Sequence, residues 1–270
     1  MTPLEVVNLT PKTNCGECGY SACLAFAANV AKNGEDPAKC PYLDTSGLNQ
    51  ENTGQAELDH SGDKRDQEFI NLLKEKINRL DLSAAAKNLG ATFSRNQENT
   101  LNFRYLGQDI LLNRDHILID NKEPLDPRDQ ILLYNYVYSG GGKPPEGTWI
   151  GLENLPNSIS KVRTLAVYCE DKLAKYFSGR PYREIIQQTT RADGELCSTE
   201  SADLCLTVKV LPRVPQQILF WEADPEEGFP VRVKILYDAG VMEYLDLESL
   251  VFSSERMADR IIPSQQGSEN

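Results

Sequence analysis

Four cysteines near the start of the chain are spaced Cys15-x2-Cys18-x4-Cys23-x16-Cys40, with Pro41 directly after. Thiolates in such a cluster hold zinc or an iron–sulfur centre, and four of them complete the shell of a [4Fe–4S] cubane. The Cys-x2-Cys loop brings two sulfurs to one side, while Gly16 and Gly19 let the backbone bend tightly around a cluster. Leu24 to Lys32 is rich in alanine and reads as a helix ended by Asn33-Gly34. Cys23 therefore falls in a first helical turn, where free amides and the positive dipole end favour an anionic cluster. Phe26, Ala27 and Val30 form an apolar face able to cover it. A structural zinc site is the other four-cysteine reading. Zinc sites usually pair two Cys-x2-Cys knuckles, and only one such pair exists here, so the x4 and x16 gaps fit zinc poorly.

The remaining chemistry-bearing residues offer less. His60 and His116 are the only histidines, the first in a polar stretch and the second after an Asn-Arg-Asp turn. A Ser–His–Asp or Cys–His catalytic set has almost nothing to draw on. Gly140-Gly141-Gly142-Lys143 lacks the phosphate-loop spacing and has Pro144-Pro145 where a helix should begin, so it reads as a plain loop. Tyr134, Tyr136 and Tyr138, like Trp149 and Trp221, suit a half-buried core edge or, alternatively, an aromatic wall for a flat macrocycle such as a corrinoid. Cys169, Cys197 and Cys205 lack an evident fourth ligand and read as buried inert thiols.

The elements that must position these residues follow from pattern. Residues 1–45 form a cluster-binding block. Residues 46–66 are polar and charged and read as a flexible linker. Residues 67–262 are mixed, and 263–270 are a fraying tail. Within the large block, helical spacing covers Phe69–Leu80, Leu82–Leu89, Pro127–Tyr138, Ile159–Phe177 and Leu247–Ile262. Strand patterns cover Thr100–Tyr105, Gln108–Asn113, His116–Asp120, Asp203–Val210, Gln217–Glu222 and Val231–Tyr237. Strands in runs with helices at intervals predict an α+β fold, a small helical cluster domain plus a larger mixed one.

The formal net charge of −12 disfavours nucleic acid and anionic membrane surfaces as partners. No run of eighteen apolar residues predicts a membrane span, and no basic-then-apolar leader is evident, which points to the cytoplasm. Seven cysteines, an odd count clustered at one end, argue against a disulfide framework.

The stretch Asn14-Cys-Gly-Glu-Cys-Gly-Tyr-Ser-Ala-Cys-Leu-Ala-Phe-Ala with Cys40-Pro41 resembles the N-terminal [4Fe–4S] domain of the large subunit of corrinoid iron–sulfur proteins of the anaerobic acetyl-CoA pathway. The resemblance implies Cys15, Cys18, Cys23 and Cys40 as ligands. It also implies one-electron transfer to oxidised cobalamin, restoring Co(I), with a redox enzyme or corrinoid protein as partner. The barrel and the His-containing cobalamin motif of that family are missing. From about residue 66 the chain instead resembles the C-terminal domain of iron–sulfur proteins of strict anaerobes with no assigned function, on Leu211-Pro-Arg-Val-Pro-Gln-Gln-Ile-Leu-Phe-Trp-Glu-Ala-Asp, Phe229-Pro, Leu236-Tyr-Asp and Tyr244-Leu. With no acid/base constellation in view, an electron-transfer or accessory role ranks above catalysis. A non-redox module with a structural cluster is the alternative.

Overall fold

Aspartates set several helix starts. The carboxylates of Asp81, Asp126 and Asp246 accept from the amides of Ala84, Arg128 and Ser249 at 3.1, 2.9 and 2.8 Å, which satisfies donors that a first helical turn leaves open. Pro127 occupies the position behind its cap, where a missing amide costs nothing. The computed structural model describes residues 3–13, 15–20, 22–33, 35–43, 54–96 and 98–263. The chain divides into two compact units, Met1–Glu68 and Phe69–Asn270.

The first unit holds α1 (Pro3–Asn8), α2 (Cys23–Asn33) and a short 3-10 turn, Pro37–Lys39. Helix α3 runs from Gly54 to Ile77. Residues 54–66, expected as part of a flexible linker, are thus helical. The stretch has no apolar stripe, so a periodicity reading is blind to it. The rest of that segment, 46–53, and the tail 264–270 lie outside the described residues.

The second unit is α+β, as expected. Helix α4 (Leu82–Asn88) leads into a four-stranded antiparallel meander of β1 (Thr92–Ser94), β2 (Thr100–Tyr105), β3 (Gln108–Leu112) and β4 (Ile117–Ile119). Helix α5 (Pro127–Tyr138) follows, then β5 (Trp149–Gly151), α6 (Ile159–Leu165), α7 (Asp171–Phe177) and α8 (Tyr182–Thr190). A second antiparallel sheet has the order β5-β9-β8-β7-β6, with β6 Gly194–Cys197, β7 Leu204–Leu211, β8 Val214–Trp221 and β9 Arg232–Asp238. The closing helix is α9 (Leu247–Ile261). Among the described residues no helix is long and apolar enough to cross a membrane.

The single helix expected over 159–177 is instead α6 and α7 joined by a π-helical stretch, Ala166–Glu170. Its wider turn sets the Glu170 carboxylate against β9, where it accepts from the amide of Ile235 at 3.0 Å. Strand β5 pairs with β9 only from Leu236 to Asp238, so this amide lies just past the last partner and needs another acceptor. Burial pushes the Glu170 carboxyl up.

Helix α9 lays Leu250, Val251, Met257, Ala258 and Ile261 into the core. Its serines meet the sheet through a satisfied polar seam. Gln216 Nε2 donates to Ser253 Oγ at 2.7 Å, Ser254 Oγ donates to Gln216 Oε1 at 2.9 Å, and Tyr237 shares a hydrogen bond with Ser254 at 2.8 Å. On its other side Arg256 grips the buried Asp129 of α5 with two bonds, 3.0 and 2.7 Å, and Tyr105 of β2 donates to the same carboxylate at 3.0 Å. One carboxylate thus joins two helices and the meander.

The cysteines expected as inert thiols divide. Cys169 is a buried free thiol whose ionisation burial disfavours. Cys197 and Cys205 are joined in a disulfide. An odd cysteine count does not exclude this bridge, because a disulfide needs only local register. The two residues face each other directly across β6 and β7, with Cα atoms 5.1 Å apart, within the range that a bridge spans.

Truncating the buried partner of an ion pair leaves the other charge uncompensated. Asp129→Ala should therefore destabilise the larger unit by about 3 kcal/mol, the low end for buried pairs because Arg256 is partly exposed. Tyr105→Phe removes one hydrogen bond and should cost about 1 kcal/mol. Urea unfolding midpoints of the two variants measure both.

Candidate metal centre

The Cys-x2-Cys loop is a tight turn in which the amide of Gly19 donates to the carbonyl of Gly16 at 2.9 Å. Both glycines have positive φ, 79° and 85°, a region costly for any residue with a Cβ. The spacing of Cys15 and Cys18 rests on that conformational freedom. Cys23 opens α2, as expected, and is buried. Its position aims the open amides of the first turn toward whatever the thiolate holds. Cys40 closes the Pro37–Lys39 turn, its amide donating to the Pro37 carbonyl at 3.2 Å, and Leu43 donates back to Cys40 at the same distance. Asp36 caps the turn by accepting from Ala38 at 2.9 Å.

Cys40 is buried together with Phe26 and Leu43, and Leu9, Cys18, Tyr20 and Val30 pack against this nucleus. Phe26 and Ala27 are fully buried, so the α2 face expected to cover a cluster does line the interior of the small unit. Cys15 is exposed and Cys18 half-buried. Exposure therefore grades from the Cys15 side inward to Cys23 and Cys40.

Two tyrosine–glutamate pairs tie the loop to the return segment. Tyr20, just after the loop, donates to Glu35 at 2.5 Å. Tyr42, just after Cys40, donates to Glu17 inside the loop at 3.1 Å. The pairs run in opposite senses, so the two cysteine-bearing segments are held at both ends. The Glu17 hydrogen bond, then its charge, pushes the Tyr42 hydroxyl up, with smaller contributions from Cys15 and Cys40. Glu35 also takes Lys39 at 2.9 Å and the amide of Asp36 at 3.1 Å. The sequence reading missed all four of these residues. Their only signal was a tyrosine two residues beyond Cys18 and another two beyond Cys40.

Among the described residues no three His, Cys, Asp or Glu side chains gather closely enough to hold one metal ion. Zinc holds four sulfurs on a single ion, each at about 2.3 Å. A cubane spreads its four thiolates over four irons, so its ligands stand farther apart. Two sulfurs inside an apolar nucleus, a glycine turn and a helix start suit such a cluster.

The other candidates resolve as structure. Tyr134 and Tyr136 lie on α5 with no exposed surface. Tyr136 donates to the Leu89 carbonyl at 2.6 Å and packs on Phe103, so these rings are spent in the core. Tyr138 is exposed beneath the Lys76 ammonium. Gly141 passes so near Asn88 that a Cβ would lie 2.6 Å from its side chain. The loop is held further by Lys143 donating to Glu243 and by Glu146 and Gly147 donating to Asp238. Gly141 and Gly142 serve close approach, whereas Gly140 has open space around it and a positive φ of 68°. His116 is half-buried beside Asn113. His60 lies in α3, its side chain outside the described residues.

The family model described as "Putative Fe-S cluster" matches residues 11–42, so the four cysteines fall in an iron–sulfur cluster domain. The same stretch is 48% identical over 42 residues to the acetyl-CoA decarbonylase/synthase complex subunit gamma of Archaeoglobus fulgidus. It is 49% identical over 43 residues to the corrinoid/iron-sulfur protein large subunit of Moorella thermoacetica. A subunit gamma 2 of Methanosarcina thermophila is 45% identical over 42 residues. These alignments take in 16% of this chain and 9 or 10% of the relatives. The chain thus spans about a tenth of their length. No solved structure matches the chain. Residues 81–260 match the model described as "Domain of unknown function (DUF3786)", and the chain belongs to that family.

The Lys39, Tyr20 and Asp36 hydrogen bonds, in that order, lower the Glu35 carboxyl from 4.5 to about 2. Because the folded value lies below the unfolded one, the clamp stabilises fully above 4.5, weakens as pH falls, and is lost through about 2. A carboxyl-carbon NMR titration should place Glu35 near the lower value, moving upward in Tyr20→Phe. A midpoint at the ordinary carboxylate value in the unmodified protein would show that the clamp does not form.

Proposed function

We propose that this chain is a one-cluster [4Fe–4S] redox protein, ligated by Cys15, Cys18, Cys23 and Cys40, that delivers single electrons for the reductive activation of a corrinoid. The observation carrying the reading is the gathering of Cys18 and Cys40 on one apolar nucleus, with Cys23 buried at a helix start and Cys15 at the surface. When bound, the cluster supplies one-electron transfer. The chain's own part is to hold the thiolates, exclude water on the Phe26 side and leave the Cys15 side open to a partner. The amides at the start of α2 stabilise negative charge there. The corrinoid assignment draws on the relatives named as corrinoid/iron-sulfur and decarbonylase/synthase subunits, and the corrinoid is carried by a partner or by the larger unit. The acidic balance of −12 favours a basic docking patch on that partner, with a rate that falls as salt rises.

A second reading keeps the cluster but makes it structural. It is favoured by the size of the nucleus, three buried side chains with four partly buried ones around them, since so small a core commonly needs a metal staple. Midpoint potential separates the two. Reversible reduction near the potential of low-potential cellular donors supports electron transfer, and loss of the cluster on reduction supports the staple.

Protein purified without oxygen should contain about four iron and four sulfide per chain, and replacing any one of the four cysteines by alanine should lose most of both. Stoichiometric zinc in protein made with ample iron would refute the cluster. Reduced protein mixed with a corrinoid protein should accelerate Co(I) formation relative to Cys15→Ala. Equal rates would remove the corrinoid role and leave the cluster standing.

A further inference from the structure

The second unit carries a sulfur pair that the cluster does not use. Cys197 and Cys205 face each other on β6 and β7, and β6 is the outer strand of its sheet. Cys197 is half-buried and Cys205 buried, so Cys197 is the more accessible of the two to an incoming thiol. Gln217 on β8 turns its amide toward Cys197 Sγ, with Nε2 donating at 3.6 Å. That donor is available to the thiolate once the bond opens, because hydrogen bonding to a charged form favours it. The closed loop is short, eight residues of separation, where loop closure lends a disulfide the least entropic support.

The loop that the bond closes is also one wall of a cleft. Trp221 Nε1 donates to the Ser201 carbonyl at 2.6 Å, and the amide of Glu222 donates to Asp203 Oδ2 at 2.8 Å. The cleft is about 510 Å³ and is lined by Asp203, Trp221, Glu222, Asp224, Phe229 and Arg232. The Arg232 guanidinium lies over the Trp221 ring, 4.1 Å from its centroid. Trp221 thus touches both the disulfide-closed loop and the cleft floor.

We propose that Cys197 and Cys205 form a reversible dithiol–disulfide switch whose state sets the Ser201–Asp203 wall of the Trp221 cleft. The reductant is a dithiol. Its thiolate attacks Cys197 Sγ, the Cys197–Cys205 bond breaks, and Cys205 leaves as a thiolate and takes a proton. The second thiol of the reductant then displaces Cys197 from the mixed disulfide. Two electrons and two protons pass to the protein, and the reductant ends as a disulfide. With the bond open, the loop loses its covalent closure, so the Trp221 hydrogen bond to the Ser201 carbonyl loosens. This switch stands independently of the cluster assignment.

The test uses the full chain without oxygen, equilibrated with dithiothreitol or with glutathione disulfide, then alkylated and mapped by peptide mass. Tryptophan emission is read in parallel in a Trp149→Phe background, so that Trp221 alone reports. The expected result is labelling of both Cys197 and Cys205 when the native protein is treated with dithiol, quenched with acid and only then unfolded for alkylation, with a shift in Trp221 emission that glutathione disulfide reverses. Cys197→Ser should hold the reduced-state emission in either buffer. Should that variant not fold, the unmodified protein decides the question by itself. A bond that opens only in denaturant would make the pair a structural staple and overturn the switch. Alkylation of both thiols even in glutathione disulfide would show that no bond forms. A bond that opens without any change at Trp221 would remove its control of the cleft. Repeating the measurements on Cys15→Ala separates any failure of the switch from a failure of the cluster reading.

Discussion

The proposed ligation needs four thiolates from two short segments to be brought together by a unit with a small apolar core, and the local backbone of the first unit fits that demand. Apolar burial does little of the work, since among the described residues only Val6, Cys23, Phe26, Ala27, Cys40 and Leu43 are buried apolar side chains there. Local backbone devices do more. A positive-φ glycine turn spaces Cys15 from Cys18, a helix start places Cys23, and an aspartate-capped 3-10 turn ends on Cys40. The Tyr20–Glu35 and Tyr42–Glu17 bonds then register one segment against the other. Exposed hydrogen bonds of this kind contribute little each to stability. Their value is geometric, in limiting how far the two segments can separate before a cluster bridges them.

The larger unit works by the opposite economy. Its core is broad, and most polar groups that enter it are answered, the hydroxyls of Tyr134 and Ser158 being the buried exceptions among the described residues. Gln216, Ser253, Ser254 and Tyr237 form a closed chain of bonds, and Asp129 takes both Arg256 and Tyr105. A buried polar network of this kind is stabilising only when complete, because an unpaired member pays its full desolvation cost. The network specifies how α9 sits on the sheet and on α5. The cysteine pair joins the outer strand β6 to β7, and the Trp221 cleft lies where β8 ends and β9 begins.

The strongly patterned elements were legible in the sequence. Strand β2 and helix α5 have the bounds that alternation and a Pro-capped start indicate, and α9 differs from its expected range by one residue. Short or weakly patterned elements were not, among them β1, β5, β6 and α8. Three- and four-residue strands carry too few alternations to stand out, and they exist because a longer neighbour offers an open edge. The helical start of α3 was hidden for a related reason, since a polar stretch with no stripe has no period to read.

The proposed ligand set belongs to the sequence itself, because cysteine spacing and flanking glycines are local properties and cluster chemistry constrains them locally. The roles of residues distant in the chain belong to the tertiary structure. Glu35 meets Tyr20 across 15 positions and Glu17 meets Tyr42 across 25, and nothing in either neighbourhood announces the other. Cys197 and Cys205 illustrate the same limit at short range. Their count argued for free thiols, but the register of β6 on β7 set them face to face. Pairing depends on which strand lies opposite which, and only the folded sheet decides that.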